Sequence, residues 1–243
     1  VAVREAVAIR VETDPMGMGG RAWHVLTPGD LADLPTAVAS IASERVLDLF
    51  RRAPDSIEQL AAQAPLPAMQ RWLHALAAAP CTLEVFQTSL NGDEARLRFH
   101  VREGWAPSFR GVAARAHRPV PALLTQVHAL TGHIDTQYGC SGTLVGLDEV
   151  ATLAELVEQD LVLAADAVGE RIARQPELGD ALGFYEVDGD WLCVTADLRT
   201  FWAGGEWVGA PVSETADLAS MLDRYFEALL ARECFRPRIG ATR

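Results

Sequence analysis

The chain has 243 residues, 49% apolar and 22% charged, with a formal net charge of −12. That is enough sequence for one large core or two small ones, and too apolar for intrinsic disorder. No apolar run approaches the roughly 20 residues of a membrane helix, and Val1 to Arg10 carries Arg4, Glu5 and Arg10 within its apolar stretch, unlike a secretory signal; a cytoplasmic protein without a membrane partner is expected.

All 21 basic residues are arginine and Asn91 is the sole asparagine, as biased GC-rich coding would produce. Cys81, Cys140, Cys193 and Cys234 are widely spaced with no C-x-x-C pair, so they read as reduced, buried small hydrophobes and not as zinc ligands or a disulfide framework.

Ala2 to Thr13 alternates as a strand, and Ala22 to Leu26 is its candidate partner after the Met16–Gly20 loop. That loop leads into strand-like sequence, whereas a phosphate-cradling glycine turn must open a helix. Pro35 to about Arg52 has helical periodicity through Val38, Ile41, Val46, Leu49 and Phe50. Asp55 stands at an N-cap position before a second helix, with Glu58 three residues on, and Pro67 opens a third with Met69, Trp72, Leu73 and Leu76 at core spacing. Thr82 to Leu90 and Ala95 to Val101 alternate around Asn91-Gly92, a hairpin signal.

Helix, helix, tight turn, helix and hairpin is the order of a winged helix-turn-helix, and residues 35–103 resemble that module: Ile57-Glu58-Gln59-Leu60-Ala61 matches its second helix, Pro67 to Leu76 its recognition helix and Thr82 to Val101 its wing. The resemblance implies duplex DNA as a partner, with Gln70, Arg71 and His74 as readers and Arg96, Arg98 or Arg102 as phosphate contacts. Charge opposes that implication, because Asp33 to Glu103 holds seven arginines against nine carboxylates.

Beyond Trp105 the sequence turns rich in Arg, Pro and Ala, so units of 1–104 and 105–243 are expected, packed as two domains or as one. A helix over Pro121 to Thr131 precedes the glycine-rich stretch Gly132 to Gly146. Asp148 then caps one long helix to about Arg174, with Val150, Leu153, Val157, Leu161, Ala164, Val168 and Ile172 in register. Leu182–Val187 and Trp191–Ala196 flank Asp188-Gly189 as a hairpin. A turn at Gly204-Gly205 follows, and a last helix begins at Ser213 or Glu214. The tail beyond Cys234 carries Arg236, Arg238 and Arg243 and no acid.

The enzyme-like constellation is His133, Asp135 and Cys140, in which a thiol beside glycines would have a histidine base and an orienting carboxylate; working Cys–His pairs are usually assembled from distant segments. Ser141 lacks the glycine spacing of a nucleophile elbow. Glu155 and Glu158 with Asp217 or Glu227 would need a histidine three residues on to hold a metal pair, and none is there. Tyr185, Trp191, Trp202 and Trp207 make 184–207 the aromatic centre, either core beneath the last helix or a partner-binding face.

The expectation is an α+β chain: a strand pair, a winged-helix-like module and an antiparallel meander covered by two amphipathic helices. Its expected function is binding a protein partner through an acidic and aromatic surface, as an adaptor, accessory subunit or toxin-neutralising protein, without cofactor or metal. The alternatives are a winged-helix transcriptional regulator and a cysteine-dependent hydrolase or transferase using Cys140.

Overall fold

The computed structural model describes residues 21–27, 41–88, 92–102, 105–111, 115–136, 142–205 and 212–236. Among these the chain is α+β. Eleven strands form one antiparallel sheet: β1 (Arg21–Leu26), β2 (Cys81–Thr88), β3 (Gly92–Phe99), β4 (Ser108–Phe109), β5 (Ile134–Asp135), β6 (Thr143–Leu144), β7 (Ala151–Thr152), β8 (Leu182–Val187), β9 (Asp190–Val194), β10 (Arg199–Ala203) and β11 (Val212–Asp217). They lie in chain order, with β6 beside β8 and β7 pairing β8 separately. The helices are α1 (Glu44–Arg51), α2 (Asp55–Ala61), α3 (Pro67–Ala77), α4 (Ala122–Thr131), α5 (Leu153–Glu158), α6 (Ala165–Arg174) and α7 (Leu218–Ala231). None of them is long and apolar enough to cross a membrane.

Strand alternation sorts side chains between two faces. Leu97 opposes Leu83 and Phe109, Phe109 opposes Ile134, Ile134 opposes Leu144, and Leu144 opposes Tyr185, so one face presents a continuous apolar row. This row forms the larger core with Phe50, Ile57, Trp72, Leu124 and Phe226 from the helices. Strands and buried residues from both before and after position 104 contribute to this sheet and this core. On the opposite face Trp191, Cys193 and Phe201 pack with Leu153, Leu156, Val162 and Val168 in a second core under α5 and α6.

Three elements and one cysteine differ from the sequence expectation. Ser43 ends the predicted first helix as an N-cap, its hydroxyl accepting from Val46 N, so α1 begins at Glu44; residues 35–40 lie outside the described ones. The single long helix expected over 148–174 is two. Thr152 and Glu155 make a capping box that starts α5, and Asp160 and Ala164 adopt φ 56°, the left-handed region that a continuing helix forbids. Backbone groups in that break are satisfied by the β8–β9 hairpin: Leu161 O accepts from Trp191 Nε1 (2.8 Å), and Leu163 N donates to Gly189 O (2.9 Å). Residues 213–217, expected in the last helix, belong to β11, and Asp217 is the N-cap of α7, its carboxylate accepting from Ser220 N. Finally, Cys234 is disulfide-bonded, whereas Cys81 and Cys193 are buried free thiols; the expectation that all four cysteines are reduced is corrected accordingly.

Candidate functional site

The sheet face opposite the larger core carries charge in its N-terminal part. In β3 the alternation places Glu94, Arg96 and Arg98 there, while Ala95, Leu97 and Phe99 enter the core. Register continues the polar row through Ser108 to Asp135, and Arg110 N donates to His133 O, bringing Arg110 and His133 to the same region. Arg96 bridges Asp135 (2.7 Å) and Glu94 (2.8 Å), while Arg110 joins Glu94 to Glu149 (2.9 Å) and His133 Nδ1–H donates to Glu149 (3.0 Å). Beside this network Arg98 pairs with Glu84 (2.6 Å) and donates to Ala106 O.

Burial alone would raise the Glu94 and Glu149 carboxyls, but the arginines prevail at Glu94, and the His133 hydrogen bond together with Arg110 prevails at Glu149; both titrate below the usual range. Conversely, burial opposes charge on Arg96 and Arg110, yet their carboxylate partners raise both. His128 lies fully buried near this network, with Nδ1 donating to Gly132 O (2.8 Å) and Nε2 lacking a partner; burial lowers its pKa to about 4, so it is neutral at pH 7. Two-residue strands offer few ladder hydrogen bonds, and the network crosslinks β3, β4 and β5 where the backbone does so least.

His133 and Asp135 are therefore on one sheet face but engage different partners, Glu149 and Arg96. Cys140 and Ser141 lie outside the described residues, and the catalytic constellation has no described nucleophile. Arg96 and Arg98, expected as exposed phosphate contacts, are buried in ion pairs because their strand is flanked on both sides, by β2 and β4, and is no free wing. Arg102 pairs in an isolated bridge with Trp105.

On α3, Gln70, Arg71 and His74 are exposed, with Arg71 pairing Glu227 of α7 and His74 pairing Glu58 of α2. The first turn of α3, the end that would enter a major groove, meets α7: Asp223 accepts from Ala68 N (3.0 Å), and the Trp72 ring lies 5.3 Å from that of Phe226. The acidic residues weighed as metal ligands are divided between the two sheet faces. Glu155 caps α5 and binds Arg118, whose hydrogen bonds are the main cause of its carboxyl falling to about 2, whereas Asp217 caps α7 and Glu227 holds Arg71. No group of three or more His, Cys, Asp or Glu suited to a metal ion occurs among the described residues.

Tyr185, Trp191 and Trp202 are buried at 2%, 8% and 3% exposure, so these aromatics are core and not an exposed partner face; Trp207 lies outside the described residues. The exposed large apolar side chains among the described residues are Leu161, Leu163 and, between β9 and β10, Leu198. Leu161 (49%) and Leu163 (39%) project from the break between α5 and α6, with Glu158, Asp160, Asp166 and Glu170 exposed around them. Residues 153–180 carry seven carboxylates and two arginines. The residues that sequence reasoning missed are Glu94, Arg110, His128 and Glu149. The signal for Glu94 was its alternation with Arg96 and Arg98, which also describes a solvated strand face. Compared with known protein families, curated proteins and solved structures, the chain has no match.

Proposed function

We propose that this chain is a protein-binding module, of the adaptor, accessory-subunit or toxin-neutralising kind, which docks a basic partner on the surface formed by α5, α6 and the loop between them. The observation that carries the reading is the pair of side chains Leu161 and Leu163, exposed on either side of buried Val162 although their backbone is fixed. Trp191 Nε1 holds the carbonyl of Leu161 and Gly189 O the N–H of Leu163, while two apolar side chains face solvent among carboxylates. A preformed apolar contact loses little entropy on binding. The surrounding negative field speeds encounter with a positively charged partner and disfavours nucleic acid.

The test is affinity capture from native lysate of the source cells with the wild-type chain and a Leu161→Asp, Leu163→Asp variant of unchanged far-UV circular dichroism. The expected result is a basic protein retained by the wild type, eluted by high salt, and bound at least about 10-fold more weakly by the variant. Equal recovery of the same proteins by both would overturn the reading.

A further inference from the structure

The backbone that presents Leu161 and Leu163 rests on the β8–β9 turn, and that turn is acidic. Asp188 and Gly189 lie in the left-handed region at φ 52° and 83°, as a two-residue hairpin connection requires. Gly189 O accepts from Leu163 N, and the Leu163 side chain lies so close over Gly189 that a Cβ there would meet its Cγ at 2.7 Å. Trp191, at the start of β9, holds Leu161 O through its indole N–H. Glu186, Asp188 and Asp190 place three carboxylates within five residues. Burial, and after it Asp188, Asp190 and Asp135, hold the Glu186 carboxyl above its usual range although Gly189 N donates to it (2.6 Å). A cation reaches this turn from the segment after α7. The buried ring of Phe235 packs among Tyr185, Trp202 and Tyr225 at centroid distances of 5.4, 5.8 and 5.7 Å, and Tyr185 Oη–H donates to the Phe235 carbonyl (2.8 Å). The next residue, Arg236, pairs with Asp188 at 2.7 Å. Arg232 and Glu233 before this anchor are exposed, so the segment is a strap laid from the helix to the turn.

We propose that this strap sets the docking loop: Arg236, seated by Phe235, offsets the charge of the β8–β9 turn, and the turn so held presents Leu161 and Leu163. Opposite charge is what a turn with three carboxylates lacks in its own sequence. When the strap lifts, Glu186, Asp188 and Asp190 lose that cation, their mutual repulsion opens the hairpin tip, and the Leu163 N–H parts from Gly189 O. Arg236 is thus a positioning residue that acts on the apolar surface through the turn, and the surface is switched by whatever seats or unseats Phe235. That the switch controls partner binding rests on the docking function proposed above; the coupling of strap to loop does not.

The experiment follows hydrogen exchange of the Leu163 amide and the Trp191 indole by NMR in the full chain, as wild type, as Arg236→Gln and as the double variant Asp188→Asn, Arg236→Gln. In Arg236→Gln both groups are expected to exchange about 3- to 10-fold faster, as for a local opening no longer opposed by a half-buried charge pair, while the amides of α3 keep their rates. In the double variant asparagine suits the left-handed position and carries no charge, so exchange is expected to return to within about 2-fold of the wild type; a role for Arg236 in packing alone would leave it as fast as in the single variant. Acceleration below about 3-fold in Arg236→Gln, equal acceleration in α3, or a double variant that stays fast would each overturn the proposal. These rates are read on the chain alone, so they can fail while the capture experiment succeeds, and the reverse.

Discussion

Replacing Arg110 by Met tests whether the charge network on the sheet holds the short central strands together. The substitution keeps most of the buried stem but removes the cation that joins Glu94 to Glu149, while Arg96 still pairs with Glu94, and His133 and the Gly146 N–H still donate to Glu149. Both carboxylates are largely buried, with side-chain exposures of 13% and 26%, and removing one member of such a pair costs about 3–5 kcal/mol. We expect about 3 kcal/mol at pH 7, the lower end, since each acid keeps other partners, which moves the urea midpoint of tryptophan fluorescence down by about 1 M for an m-value near 3 kcal/mol/M. The pH dependence supplies the second arm. In the wild type both folded pKa values are depressed, so their stabilisation is present above the unfolded value of about 4.3 and is lost as pH falls through the folded ones. In the variant both acids lose part of what holds them down, so they take up protons at higher pH than in the wild type, and the cost of the substitution shrinks as the pH falls towards 4. A cost below about 1 kcal/mol at pH 7, or one equal at pH 7 and pH 4, would refute the reasoning.

Trp72→Ala removes a fully buried ring that packs on Phe109 and Phe226; we expect a loss of about 3–5 kcal/mol and a calorimetric Tm lower by roughly 10 °C, and a shift of 2 °C or less would show that the α3–α7 contact carries little. Asp223→Ala uncaps α3 at Ala68 N and is expected to cost about 1 kcal/mol in urea denaturation, whereas no measurable change would mean that water replaces the cap.

Elements whose pattern and punctuation agree were legible in the sequence. The Pro67 start and the Met69, Trp72, Leu73, Leu76 spacing gave α3, and Asp188-Gly189 between alternating runs gave the β8–β9 hairpin. The 148–174 helix was misread because Leu161 and Ala164 fit its period, while the groups that end it, Trp191 Nε1 and Gly189 O, come from a distant hairpin. The charge network was illegible for a related reason. Alternating Glu94, Arg96 and Arg98 looks the same whether the face meets water or other charges, and only cross-strand register brings Asp135 and Arg110 to it. Tyr185, Trp191 and Trp202 announced their aromatic density, but not which side of the sheet each would occupy.

The capping of α3 by α7 has a consequence for how the molecule is made. Trp72, Ile57 and Phe50 belong to the same core as Leu222, Tyr225 and Phe226, although some 150 residues separate Trp72 from Phe226. A ribosome that has delivered residues 41–109 has therefore produced three helices and a hairpin whose inner surface lacks its lid, and the first turn of α3 waits for a carboxylate at position 223. During synthesis the early half stays open until that late helix emerges, which makes the interval between them the time when this chain most needs protection from its own apolar surface.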